Sequence, residues 1–245
     1  MDFKEGEILH INKPYGMTSF GALAFVRTRI SKAAGVKRVK TGHAGTLDPL
    51  ATGVLILCTG KKTKLIPTLQ EQGKEYTATL QLGATTASYD MEHPVDATYP
   101  TDHITEAMVR EALEQFRGNI MQVPPTYSAV HIDGKRAYEI ARKAEDSHAI
   151  EDTTIPAKPV NIKDIELLWY DDTKKQCQIR VECGKGTYIR SLARDIGKAL
   201  NSGAYLTQLC RTRVGDIKIE NCIELDKFQE WLNSHNSISP SQVQI

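Results

Sequence analysis

The chain has 245 residues, 40% of them hydrophobic and 25% charged, with a formal net charge of +1. That balance is ordinary for a globular protein of one large or two small domains, and no stretch approaches the ~20 apolar residues that cross a bilayer. The N-terminus MDFKEGEILH lacks the layout of a secretory signal, and the five cysteines include no Cys-x-x-Cys pair that would suggest a disulfide framework or a zinc site, so a cytoplasmic protein is expected.

Ile8 to Asn12 reads as a short apolar strand. Ser19 is placed to cap a helix with Phe20, Leu23, Val26 and Ile30 on one face, stopping near Gly35. Lys37 to Lys40 is basic and expected to be solvated. Then comes GHAGTLDPLATGVLIL, Gly42 to Leu57, where Asp48 stands in a turn of Gly45, Thr46, Leu47 and Pro49, followed by Gly53 and an apolar run that reads as a buried strand to Cys58. No other carboxylate lies within forty residues before Asp48 or twenty after it. Two readings stand on spacing alone. Asp48 is the N-cap of a helix with Pro49 at its first position, or it is a lone carboxylate presented for catalysis between a glycine turn and a buried strand. The following Thr59-Gly60-Lys61-Lys62-Thr63 resembles a phosphate-binding loop, but the Walker pattern requires glycine where Leu55 stands. A nucleoside triphosphate is therefore not expected, whereas a basic helix start touching RNA phosphate, with Lys64 in the same stretch, remains open.

Glu75 to Gly83 alternates, with Tyr76, Ala78, Leu80 and Leu82 on one face. Ile104 to Ile120 has helical spacing through Val109, Leu113, Phe116 and Ile120. Residues 124–160 are polar and charged between prolines, an excursion from the core with one helix expected near Ala137 to Ala144. Cys177, Ile179, Val181 and Cys183 alternate as a strand, and Leu192, Ile196 and Leu200 mark a helix. If the strand carries on past Cys183, Tyr188 and Arg190 point to one face. Strands and helices mix without regular βαβ alternation, which predicts an α+β fold: a mixed, mostly antiparallel sheet flanked by helices, filling residues 1–230 before a polar tail at 231–245.

The net charge conceals segregation. Residues 1–64 and 173–218 each carry a net +7, around a net −10 over 65–172. If the basic segments meet they form a patch suited to phosphates; otherwise the unevenness is incidental.

Five blocks in this order resemble those of bacterial TruB-type tRNA pseudouridine-55 synthases: Lys13-Pro14-Tyr15-Gly16-Met17-Thr18-Ser19, the Asp48 segment, Lys74-Glu75-Tyr76, Pro124-Pro125-Thr126-Tyr127-Ser128-Ala129-Val130, and Gly184-Lys185-Gly186-Thr187-Tyr188-Ile189-Arg190. The resemblance implies a pseudouridine synthase catalytic domain with an RNA-gripping insertion near 124–160. It makes Asp48 the catalytic aspartate and Arg190 the arginine that pairs with it, favouring the ionised carboxylate. It gives Tyr76 the role of stacking on the target base, His43 that of occupying the space left by flipped nucleotides, and Leu209 that of lining the uracil pocket. Tyr188 and Lys64 fall to substrate binding, and Asp90 to base flipping, although its flanking residues depart from the family pattern. On the residues alone, each of these also reads as ordinary core or structural pairing.

The implied reaction cuts the bond from ribose C1′ to uracil N1, rotates the base and joins C5 to C1′. It needs no nucleotide, metal or organic cofactor. Asp48 would attack ribose C1′ or uracil C6, or take a proton from C2′. The implied partner is the T-arm of tRNA, met by a monomer with no membrane involved. Only about thirty residues follow Arg213, where the family usually carries a small RNA-binding domain, so a short form is expected. The alternatives are a guide-RNA-dependent synthase of the dyskerin kind and a non-catalytic RNA-binding factor on the same scaffold. No serine-hydrolase motif or paired metal-ligand spacing occurs.

Overall fold

The structure is a computed structural model that describes residues 1–127, 131–132, 135–136 and 155–236. The helix predicted near Ala137 to Ala144 lies outside the described residues, as does the end of the tail. In chain order the strands are β1 (Ile8–Lys13), β2 (Thr41–His43), β3 (Ala51–Thr59), β4 (Lys74–Leu82), β5 (Ala84–Thr86), β6 (Val95–Thr98), β7 (Gly118–Gln122), β8 (His131–Ile132), β9 (Lys135–Arg136), β10 (Lys158–Asp171), β11 (Gln176–Cys183), β12 (Ala204–Val214), β13 (Ile217–Lys218) and β14 (Ile223–Glu224). The α-helices are α1 (Ser19–Ala33), α2 (Ile66–Glu71), α3 (Glu106–Glu114), α4 (Ile189–Ala199) and α5 (Phe228–Asn236). Two compact units divide the chain: Met1–Lys74 with Cys210–Ile245, and Glu75–Leu209.

The first unit is built on β3. Its neighbours are β1, antiparallel with Ile11 opposite Leu55, and β12. A short parallel pairing adds β14 to β1. β3 is covered on both faces, which explains its unbroken apolar run. Leu55 and Leu57 join Leu23, Val26 and Ile30 of α1 and Phe228 and Leu232 of α5, while Val54, Ile56 and Cys58 face Ala44 and Val214. Two details of α1 differ from expectation. The cap is Thr18, whose hydroxyl accepts from Gly21 N at 2.9 Å, and Ser19 is the first helical residue. Phe20 is 63% exposed, outside the buried face. At 3.6 residues per turn it stands roughly 100° from the centre of the arc formed by Ala22, Leu23, Val26 and Ile30.

In the second unit the first residues of β12 lie beside β4, followed by β11, β10 and β7. β10 is antiparallel to both neighbours, with Ile165 opposite Val181 and Val160 opposite Ile120. Ala78, Leu80, Ile179, Val181 and Ile162 of the strands are buried, as are Val109 and Leu113 of α3 and Leu192 and Ile196 of α4. The helix predicted over 104–120 ends at Glu114. Gly118 takes φ +89°, a left-handed backbone that favours glycine, and the chain turns into β7, so Ile120 belongs to a strand. The α+β expectation holds, with a mostly antiparallel sheet. All five cysteines are free, and no helix among the described residues is long and apolar enough to cross a membrane.

Candidate active site

In the first unit, Asp48 is half-buried in a turn fastened from several sides. No helix follows it. Ala51 N donates to Asp48 O at 3.1 Å and the chain enters β3 directly, which removes the N-cap reading. The buried Ser19 at the start of α1 spans both backbone groups of Leu47: its hydroxyl accepts from Leu47 N at 2.8 Å and donates to Leu47 O at 3.0 Å. Gly16 N donates to Pro49 O at 2.9 Å.

Two buried cations complete the support. Lys13, fully buried at the end of β1, donates from Nζ to Met17 O at 2.6 Å, Pro14 O at 2.9 Å and Pro49 O at 3.3 Å. Arg211, 1% exposed on β12, donates from Nε to Val54 O at 2.8 Å, from Nη2 to Gly45 O at 3.1 Å and from Nη1 to Thr46 O at 3.5 Å. A buried charge costs several kcal/mol unless its donors are met, and here backbone carbonyls around Asp48 meet them. Burial pushes the Lys13 ammonium down to about 8; the Asp48 charge acts to raise it and the Arg211 charge to lower it further. The loop is therefore held rigidly by its main chain, and its one carboxylate lies within the field of a neighbouring ammonium.

Glycine is required at two points beside these cations. Gly45 has φ +95° over the Arg211 guanidinium. Gly53 has φ +104°, and a Cβ there would lie 2.2 Å from Arg211 O, so only glycine lets β12 approach β3. His43 ends β2, two residues before Gly45. Burial first, and then the charge of Arg211, hold its imidazole below the ordinary histidine range, so the ring is neutral at pH 7. Its Nδ1 is buried without a hydrogen-bond partner by geometry, while a backbone hydrogen bond with Gly45 acts in the opposite direction, to raise the ring's pKa. Lys64 is exposed on a 3₁₀ turn, Gly60–Leu65, after β3.

The second unit places Arg190 differently from expectation. β11 ends at Cys183, Gly186 turns the chain with φ +86°, and Tyr188 is the N-cap of α4, so Arg190 sits in the first helical turn and not on a strand face shared with Tyr188. Tyr188 makes no side-chain cap bond. The buried Gln122 fixes this start instead, accepting from Tyr188 N at 2.8 Å and donating to Tyr188 O at 3.1 Å. The Arg190 side chain, 6% exposed, donates from Nη1 to Ser88 O at 3.2 Å and from Nη2 to Tyr127 O at 3.0 Å, with Nε 3.8 Å from Asp90 Oδ2. Asp90 is itself braced: Oδ1 accepts from Ser88 Oγ at 2.6 Å and from Glu92 N at 3.0 Å. Between them Tyr89 has φ +61°, a conformation unusual for a bulky residue and often found at functional sites. Arg194, one turn beyond Arg190, lies 5.1 Å from the Tyr89 ring. The structure thus joins Arg190 to Asp90, while Tyr76 is buried on β4, Tyr188 is half-buried at the start of α4 and Leu209 is half-buried on β12.

Lys13 and Arg211 received no role from the sequence, and Ser19 only that of a helix cap. Their signal was faint: one cation at the end of an apolar strand, one of two arginines in a mixed strand, and a serine that looked like a cap.

Comparison with known proteins identifies the family. Residues 32–189 match the model of the TruB family pseudouridylate synthases, N-terminal domain, and residues 190–242 match the tRNA pseudouridylate synthase B C-terminal domain. The tRNA pseudouridine synthase B of Bacteroides thetaiotaomicron is 57% identical over 95% of both chains. The protein of that name from Flavobacterium johnsoniae is 47% identical over 94% of this chain and 98% of its own. That from Corynebacterium diphtheriae is 41% identical over 95% of this chain and 74% of its own. Among solved structures, a chain of a Cbf5-Nop10-Gar1 complex superposes with a TM-score of 0.66 at 27% identity, covering 95% of this chain. This chain spans 57% of that one.

Proposed function

The chain belongs to the TruB family of pseudouridylate synthases, and from that membership we propose that it isomerises a T-loop uridine of tRNA, at position 55, to pseudouridine. The observation that carries this reading is the Asp48 turn: one half-buried carboxylate, its loop fastened through the main chain by Lys13, Ser19 and Arg211.

The reaction breaks the bond from C1′ to N1 and forms the bond from C1′ to C5. The proton at C5 leaves, N1 gains one, and no oxidant or reductant takes part. Asp48 is the reacting group, attacking C1′ or C6 or taking the C2′ proton, and Arg190 is its cationic counterpart. The target base must leave its stack at a cost of a few kcal/mol. Stacking on Tyr76 returns about 1–3 kcal/mol. His43 fills the space left by the base. Leu209 and Tyr188 border the uracil, Asp90 acts in base flipping through Arg190, and Lys64 meets phosphate. The chain works as a monomer on the T-arm, in the cytoplasm, where free cysteines persist.

Incubating the purified chain with an unmodified tRNA transcript tests the proposal. The wild type should form pseudouridine at a single T-loop site without any guide RNA, and Asp48→Asn should form none while still binding the transcript. Turnover by that variant would remove Asp48 from the chemistry. A requirement for guide RNA would favour the guide-dependent alternative.

A further inference from the structure

We infer that the C-terminal end of α1 and the segment after it form a separate RNA-phosphate site in the first unit, one that grips tRNA backbone away from the reacting uridine. This rests on the tRNA reading above.

From Ile8 to Leu47 the chain carries seven Lys or Arg residues and no Asp or Glu. Four of them, Arg27, Lys32, Lys37 and Arg38, line one open cavity of about 340 Å³ with Thr28 and Ser31. No carboxylate lines it, and among the described residues none of the four has an ion-pair partner. Four like charges gathered without a counter-ion repel one another and oppose folding. The hydrophobic face of α1 does not require them, since Leu23, Val26 and Ile30 are buried on the other side. The Ser31 hydroxyl holds the pocket in shape, donating to Arg27 O at 2.7 Å and accepting from Val39 N at 2.9 Å.

Phe20 on this helix and Tyr15 in the turn before it offer a base-stacking edge. Phe20 is 63% exposed, Tyr15 is 57% exposed, and the Arg27 guanidinium lies 5.7 Å from the Phe20 ring centroid. Exposed rings beside cations suit RNA, where planar bases stack and phosphates pair. The occupant is therefore a polyanion with planar groups, the tRNA itself. Ser19 bonds Leu47 in the catalytic turn, and the helix rises 1.5 Å per residue, so the helical residues of the cationic pocket, Arg27 to Lys32, lie about 12–20 Å along α1 from that turn. This places it beyond the reacting nucleotide.

The test compares two full-chain variants of equal charge change. Lys32→Gln/Lys37→Gln alters the pocket; Lys163→Gln/Lys227→Gln removes two exposed lysines, one on β10 and one just before α5, outside every segment assigned to RNA. Binding of an unmodified tRNA transcript is followed by fluorescence anisotropy across a salt series. The pocket variant should bind on the order of tenfold more weakly, and its slope of log affinity against log salt should fall by roughly 1.8, about 0.9 for each phosphate no longer neutralised. Its turnover at saturating tRNA should match the wild type, and the control should stay within about threefold in affinity. Phe20→Ala should weaken binding without changing the salt slope. The site is refuted if the pocket variant binds as the wild type does, or if both variants weaken equally, since that marks only net charge. A wild type that modifies tRNA while the pocket variant is unaffected removes this site alone; a wild type that neither binds nor modifies tRNA removes the function and the site together.

Discussion

Arg211 and Lys13 donate to main-chain carbonyls around Asp48, which makes them holders of a loop. The guanidinium is planar and reaches Val54, Gly45 and Thr46 at once; an ammonium cannot reproduce that fork. Arg211→Lys should therefore lower kcat by at least tenfold, an effect on the order of 1.4 kcal/mol, with KM for tRNA changed less than threefold. A variant with wild-type kcat would show that the loop keeps its shape without the fork. Lys13 supplies a pH test. Its folded pKa of about 8 lies below the ordinary lysine value of 10.5. Between those values the unfolded chain holds a proton that the folded chain lacks, so this group's contribution to stability rises as pH increases through that window. Activity should move the other way, because the ammonium beside Asp48 is lost above about pH 8. A kcat/KM profile with an alkaline limb near 8, while Tm does not fall, is the expected result. A limb that persists in Lys13→Met would assign it to another group.

At the scale of elements, what was legible was what neighbouring residues decide. β3 announced itself by an apolar run because both of its faces are covered. β4 and β11 showed period two because their alternate residues are buried. Two errors share a cause. Ile120 fits a helical pattern but follows Gly118 at φ +89°, and Arg190 follows a strand but lies past the Gly186 turn. Periodicity does not reveal where a backbone reverses. The supports of Asp48 were hidden for a different reason: Arg211 meets Val54 across 157 positions and Gly45 across 166, and no local window spans that distance. Gly53 is where those long-range contacts can be tested. Ala there would face the Arg211 backbone at 2.2 Å in a left-handed conformation. The backbone strain alone costs about 1–3 kcal/mol, and each kcal/mol lowers Tm by roughly 2–4 °C in a chain of this size. Gly53→Ala should thus lose at least about 5 °C and most activity. Gly184→Ala, where the nearest atom is 3.7 Å away and φ is ordinary, should leave Tm within about 1 °C. Equal Tm values for the two would mean that β12 yields easily at Arg211.

Over the whole molecule, a pI near 7.7 conceals two units of opposite charge. Met1–Lys74 with Cys210–Ile245 holds 16 basic and 10 acidic residues, a net +6, while Glu75–Leu209 holds 15 and 20, a net −5. The unit that presents Asp48 is thus the one that attracts phosphate, and the opposite sign on the other unit opposes indiscriminate adhesion to polyanions. If phosphate contacts dominate affinity, log affinity for tRNA should fall linearly with log salt. With six or more contacts the loss between 50 and 200 mM salt is on the order of a thousandfold. Adding salt at fixed, saturating tRNA should leave kcat unchanged, because the supports of Asp48 are buried and a Debye length of about 8–10 Å screens chiefly exposed charges. A binding constant that barely moves with salt would mean that shape and stacking govern recognition, and the charge division between the units would then have no part in choosing the substrate.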